Sequence, residues 1–465
     1  MPDIRIRKFE THYRLPQLVL RERRRLEQVR AAVLDEALEL ALERAGVPED
    51  GELCIRKIYA PIRLRVTNSD AELALQWSLS LAAEIARAMR DGRATNAVFY
   101  RARREALLEL TINAARGDFR RAWAWRQLGL WQASESPDAS EAVAAIVRAL
   151  ATEAPMILPA LHALLDAGLC LRVAERMTAE QWETLARAAL IAIDVAPRLE
   201  DSTPTPRVVR DAMRILQSSR LLTALLAAQT LSAVNDDAGA RAVATIAILA
   251  VEPALLRTNT AHALLEFVAN ALRTTRVETR NDVLDAPEPA VQSEDDAPLD
   301  LRQCAETRFG GLLYLLGVIE DLQLPDEMLE HFGARGLRWT LHQLALTLLP
   351  MQTDDPAALA FAGLRPEAIP PDYEQEPCTK NEAQLLQSLS TRLLTRLRAW
   401  LDWQTNDASL LAFVCERRAE IIADPGWIEV RFSLDKLATE IRRAGLDLDP
   451  GYVNWLGVVV KFVYA

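Results

Sequence analysis

The sequence has few of the residues that carry most covalent and metal chemistry. Its 465 residues include five cysteines and five histidines. The cysteines (Cys54, Cys170, Cys304, Cys378, Cys415) are far apart and odd in number, with no CxxC pair. That spacing reads as free thiols, not a disulfide framework or a zinc site. The histidines (His12, His162, His262, His331, His342) form no HExxH and no metal-spaced pair with a cysteine. There is no Walker A loop, no GxGxxG after a strand and no GxSxG. Carboxylates are numerous, but without a pocket a close pair says nothing about glycosidase chemistry. No catalytic, cofactor-binding or metal-binding residue is therefore nominated, and a non-enzyme is expected. Lysine is scarce and the net charge is −11, which argues against a general nucleic-acid binder. The longest uncharged stretches, near Leu221 to Asn235, fall short of the ~18 residues of a membrane span. Met1 to Arg14 carries charge but no apolar signal-peptide core. A soluble, cytoplasmic protein with no membrane span is the expectation.

What the chain does hold is apolar surface: 50% hydrophobic residues against 26% charged. That composition folds, and the length allows two or three domains. Abundant Ala and Leu favour helix. At the start, Ile4-Arg5-Ile6-Arg7 alternates like a strand. A helix follows over Leu18 to Ala45, closed by Gly46 and Pro48. Cys54 to Val66 alternates again, with Ile55, Ile62, Leu64 and Val66 against Arg56, Arg63 and Arg65. Pro61 makes that stretch an edge strand or a bulge. Residues 1–67 thus read as a strand–helix–strand unit. Residues 68–276 read as helix throughout, with capping boxes at Ser69/Glu72 and Thr178/Gln181. The acidic stretch 277–299 reads as a linker or mobile loop. Residues 300–423 read as a second helical region, interrupted by an irregular, proline-rich insertion over 351–380. Gly310-Gly311 within it fits close helix packing better than phosphate binding.

Residues 424–465 form a second strand–helix–strand unit. Ile428, Val430 and Phe432 alternate with Glu429 and Arg431, Leu434 to Ala444 reads as helix, and Trp455 to Tyr464 as a strand. The fold class expected is α+β, predominantly α-helical, with strand–helix–strand units at both ends that share one sheet or cover the helical middle.

Two clusters are candidates for partner binding. Arg21, Arg23, Arg24 and Arg25 belong to the one concentrated basic stretch, suited to an acidic protein surface. Trp123 and Trp125, among Arg120, Arg121 and Arg126, offer a stacking or cationic face. Each also has an ordinary structural reading, as a solvated helix face and as core tryptophans.

Several tracts resemble one family. They are the opening strand–helix with Cys54-Ile-Arg-Lys-Ile58, Ala115-Arg-Gly117 through Trp123-Ala-Trp125, Arg308-Phe-Gly-Gly-Leu-Leu-Tyr314, and Gly445-Leu-Asp-Leu-Asp-Pro-Gly451 with Trp455-Leu-Gly-Val-Val-Val460. Together they are similar to large accessory proteins, of the tape-measure-associated kind, from gene clusters for extracellular contractile injection systems. The resemblance implies a non-catalytic structural or assembly role, with other proteins of a phage-tail-like particle as partners. It also implies incorporation into that particle or transient service in its assembly. A literal ruler would be one helix of ~700 Å at ~1.5 Å per residue. Short capped helices and proline loops imply a compact chaperone, scaffold or minor component instead. The alternatives are a helical scaffold unrelated to injection systems, or an enzyme of unrecognised class.

Overall fold

The helices begin where a side chain can take the free N–H groups of their first turn. Ser69 and Glu72 bond reciprocally to each other's backbone N–H, and Thr178 with Gln181 does the same. A third capping box, Thr379 with Glu382, opens another helix. The computed structural model describes residues 6, 9–14, 20–48, 51–90, 96–195, 205–227, 236–279, 302–371, 377–434 and 438–464. The protein is α+β and predominantly α-helical: 61% helix, with sheets of two and five strands. Of Ile4–Arg7 only Ile6 is described, so the strand expected there lies outside the described residues. So does most of 277–299, where only the helix end Val277–Thr279 enters the acidic stretch. The contacts gather into two units, Met1–Asn113 with Asp118–Ser136, and Ala114–Gly117 with Pro137–Ala465.

The first unit is built on helices running in the same direction. Helix α1 (Leu20–Ala32) passes through a π-helical turn (Val33–Ala37) into α2 (Leu38–Arg44). Beside it lies α3 (Asp70–Arg90). Leu26, Val29 and Val33 cluster with Leu73, Ala74 and Trp77, and further along Leu38 clusters with Leu81 and Ile85. The chain between them returns in extended form. It starts as β1 (Glu52–Ile55), antiparallel to β2 (Ala97–Tyr100). Beyond β1 the burial alternates strictly. Ile58, Ala60, Ile62, Leu64 and Val66 are half-buried, while Lys57, Tyr59, Pro61, Arg63 and Arg65 are exposed. Ile58 and Ala60 pack on the second cluster, Ile62 and Leu64 on the first. Six extended residues span ~20 Å and the α3 axis from Leu73 to Ile85 ~18 Å, so the return fits a strand conformation. The unit closes with α4 (Arg103–Arg116), whose end falls in the second unit's grouping, and α5 (Ala122–Gln127). Strand β2 corrects the reading of 68–276 as all helix. Its four residues, Ala-Val-Phe-Tyr, pair with a strand more than forty positions earlier, a tertiary contact that outweighs local propensity.

The second unit opens as a helical stack: α6 (Ala139–Thr152), α7 (Ile157–Asp166), α8 (Cys170–Ala174), α9 (Ala179–Ala192), α10 (Pro206–Ser218), α11 (Arg220–Ala227), α12 (Asp237–Val251) and α13 (Ala261–Thr279). Ala242 to Leu249 is buried without interruption. A helix apolar all round belongs inside, and α12 packs between α9 and α13. Among the described residues no single helix is long and apolar enough to cross a membrane. The apolar pair formed by α6 and the segment through α7 is bent by 119° and largely buried.

After α13 come β3 (Gln303–Thr307), a 3-10 turn (Gly310–Tyr314), α14 (Leu315–Asp321), α15 (Leu324–Phe332), α16 (Leu337–Leu348), α17 (Pro356–Phe361), α18 (Lys380–Leu401) and α19 (Asp407–Cys415). The chain ends with β4 (Ala419–Asp424), β5 (Trp427–Phe432), α20 (Thr439–Arg443), β6 (Gly451–Val453) and β7 (Val458–Tyr464). The sheet order is β3-β4-β5-β7-β6, with β5 and β7 parallel and the other neighbours antiparallel. The strands of the two ends therefore lie in separate sheets among the described residues.

Three further expectations are corrected. The second helical region, read over 300–423, is not helix to its end: it breaks at Cys415 and becomes β4. The buried Ile421 and Ile422 enter a hairpin turned by Pro425-Gly426, with φ +69° at the glycine. Residues 303–307 form an edge strand, not the start of a helix. The stretch read as irregular over 351–380 holds α17, with Ala357 to Phe361 all buried. Asp355 caps α17 and accepts a bond from the Thr307 hydroxyl at 2.9 Å. The Gly310-Gly311 pair sits where close packing requires it. A Cβ on Gly311 would lie 2.0 Å from the Val414 carbonyl oxygen, and one on Gly310 2.4 Å from the Ala419 Cβ. Around this point Tyr314, Phe432, Phe462 and Tyr464 form an aromatic core, the two tyrosine hydroxyls 2.8 Å apart.

Candidate functional site

Helix α1 carries the basic stretch because its apolar residues recur at three and four. Leu26 and Val29 turn inward, leaving Arg21, Arg23 and Arg24 exposed. Arg25 has a different job. Its Nε lies 2.5 Å from the Asp70 carboxylate, one terminal nitrogen donates to the Val66 carbonyl at 2.7 Å, and the other donates to the Asn68 carbonyl. It clasps the end of the extended return to the first turn of α3. Arg25 is thus a structural residue of the loop, not part of an open basic face.

The same unit exposes apolar side chains. Leu75 and Leu79, one turn apart on α3, are 46% and 40% exposed. Tyr59 is 78% exposed and Leu40 56%. Leu75 and Leu79 make a short apolar strip of the kind that protein contacts use.

Trp125 is corrected outright as a surface residue. It is fully buried, edge-on to Trp131 at 5.6 Å between ring centres. Trp123, two positions earlier on α5, is half-buried. The neighbouring arginines are engaged. Arg120 pairs with Asp118 (2.7 Å), Arg121 with Glu109 (2.8 Å), and Arg126 donates to the Ser134 carbonyl (2.7 Å). Burial raises the Glu109 carboxyl while Arg121 opposes it, and burial pushes the nearby Cys54 thiol up to about 11. A thiol there stays protonated and unreactive at neutral pH. This corner is core with a polar lining.

The second unit contains a chain of buried charge that sequence reading missed. Asp211 and Glu252 are 2% and 3% exposed. Glu252 accepts the Leu337 N–H at 2.7 Å and faces Arg214 at 3.6 Å, and Arg214 lies 3.9 Å from Asp211. Burial raises both carboxyls, with Arg214 opposing. Arg338, whose charge burial disfavours, donates to the Gly363 carbonyl at 2.9 Å. Asp166 bridges Arg220 (2.9 Å) and Arg365 (3.3 Å). Nearby His162 is pushed down to about 4 by burial, then by Arg338 and Arg220, so it is neutral at pH 7. Asp211, Arg214 and Glu252 join α10 to the turn after α12, and Asp166 joins α7 to Arg220 of α11 and to Arg365 beyond α17. Only three-dimensional packing brings these residues together, and no spacing in the sequence announces it. Among the described residues no three His, Cys, Asp or Glu side chains are grouped to hold a metal. Comparison with family models, with curated proteins and with solved structures finds no match.

Proposed function

We propose that this chain is a non-catalytic structural or assembly protein that works through protein–protein contacts. On the resemblance, its partners are other proteins of a contractile injection particle. The reading rests on the surface of the first unit. One helix presents Arg21, Arg23 and Arg24 to solvent, and the helix packed beside it presents Leu75 and Leu79. Exposed leucine is costly in water, at about 25 cal/mol per Å², and a partner that covers it recovers that free energy. The arginines supply steering and selectivity toward an acidic surface.

The test has two arms. Deleting the gene should leave particles short, incomplete or few by electron microscopy. Normal numbers of full-length, contractile particles would remove the assembly role. Reversing Arg21, Arg23 and Arg24 to Glu should weaken partner capture in a salt-dependent way and leave melting unchanged. Arg25 is left intact because it holds the loop.

A further inference from the structure

The cluster around His162 gathers more cation than it has carboxylate to meet. His162 and Asp166 stand one turn apart on α7 and so share a face. Three arginines act on that face from other elements: Arg220 opens α11, Arg338 lies in the first turn of α16, and Arg365 follows α17. Asp166 alone serves two of them, one oxygen to Arg220 and the other to Arg365. Glu252 acts on Arg338 but is itself faced by Arg214 at 3.6 Å. Other arginines of the unit, such as Arg335, Arg392 and Arg396, each have a carboxylate of their own.

Donors in the cluster are left unused. Arg338 makes one hydrogen bond, to the Gly363 carbonyl, whereas a guanidinium carries five N–H donors. No described residue hydrogen-bonds either ring nitrogen of His162. Burial and the arginines hold that ring neutral, so one nitrogen donates and the other accepts. A shielded polar group without a partner costs free energy. Arg220 is exposed, while His162, Arg338 and Arg365 are half-buried, so the cluster grades from solvent inward.

We infer that His162, Arg220, Arg338 and Arg365 bind one inorganic phosphate ion. The arginines supply charge and forked N–H donors, which fit phosphate oxygens. The imidazole selects among anions. Hydrogenphosphate accepts from the arginines and keeps a P–OH to donate to the unprotonated ring nitrogen. A carboxylate or a sulfate only accepts and leaves that nitrogen unmet. The excess of three arginines over the single Asp166 also suits a doubly charged ion. Bound there, phosphate ties α7, α11, α16 and the segment beyond α17 to one another. The site is separate from the arginines of α1 and does not depend on the protein-contact reading.

The experiment titrates the full chain with inorganic phosphate at neutral pH, by calorimetry and by thermal melting, with sulfate at matched ionic strength as the reference. Sulfate has the shape and charge but no proton to give. Phosphate should bind saturably, at least about tenfold tighter than sulfate. His162→Phe removes the acceptor without adding charge and should bring phosphate down to the level of sulfate. Arg220→Gln changes an exposed side chain and should weaken both anions. Asp166→Asn removes the competing charge but keeps an oxygen for the arginines. It should tighten both anions, a gain that a damaged fold does not mimic. Should Asp166→Asn not fold, the loss in Arg220→Gln decides. Both anions also stabilise proteins through exclusion from their surface, but that effect does not saturate and survives His162→Phe. No saturable binding, equal affinity for phosphate and sulfate, or undiminished phosphate binding by His162→Phe would each overturn the inference. Weaker binding by a folded Asp166→Asn, or unchanged binding by Arg220→Gln, would overturn it as well.

Discussion

The two units differ in how much of their apolar surface they leave outside. Along α1 to α3 the first buries two clusters, each completed by half-buried side chains such as Phe9, Ile58 and Leu64. It also contributes five of the eleven large apolar residues exposed among those described. The second buries an uninterrupted run on α12 and an aromatic core beneath its sheet, and draws charges such as Asp211 and Glu252 inside. Apolar surface left outside is available for binding. The contrast separates a unit shaped by what it meets from one shaped by what it encloses.

The largest expected effect lies in the second unit. Removing Trp427 to Ala465 takes away three of five strands and uncovers the buried face of β4, so the product should aggregate. A soluble product with unchanged melting would contradict the account of the sheet. Phe432→Ala, which opens the aromatic core, should cost about 3–5 kcal/mol by chemical denaturation.

Glu252 gives the next test. Glu252→Ala should cost about 3–5 kcal/mol, since it strands the Leu337 N–H and the Arg214 charge. Glu252→Gln retains an acceptor. Because burial raises the folded-state carboxyl above its unfolded value, its stabilising contribution is present at low pH and lost as pH rises through the raised value. The Gln variant should therefore gain on the parent in thermal melts as pH climbs from acid to neutral.

Glu382 runs the other way. The Arg335 fork, at 2.9 and 3.1 Å, lowers it to about 2. Its contribution is present above the unfolded value and lost as pH falls through about 2. Arg335→Ala should cost about 1 kcal/mol at neutral pH, allowing for solvent screening. That cost should vanish in strong acid.

The smallest effects on stability belong to the first unit. Leu75→Gln with Leu79→Gln should move melting by no more than about ±0.5 kcal/mol while weakening partner capture. A large loss of stability would mean the leucines serve the fold, and the contrast between the units would blur.

The parts legible in the sequence were those fixed locally. Ser69 with Glu72 and Thr178 with Gln181 announce their helices because the capping partners are three residues apart. The alternation of Ile428, Val430 and Phe432 survives as β5 because one side chain in two must be buried. What escaped depended on distant partners. Strand β3 has weak propensity and exists because β4, more than a hundred positions later, pairs with it. Asp211, Glu252 and the Leu337 N–H scatter along the chain and come together only when α10, the turn after α12 and the start of α16 pack. The two candidate clusters split for the same reason. Periodicity set Arg21, Arg23 and Arg24 outside, but it gave no sign that Arg25 reaches Asp70 or that Trp125 is enclosed.

The π-helical turn Val33–Ala37 sets a rotational phase. Val33 and Leu38 both face α3, five positions apart, because the turn absorbs one residue more than an α-helix would. Were the same residues to run on as a regular α-helix, with no wide turn, α2 would swing by about 100°. Leu38 and Ala41 would leave the interior and Leu40 would move toward it. The wide turn thus decides which side of α2 is core and which is surface.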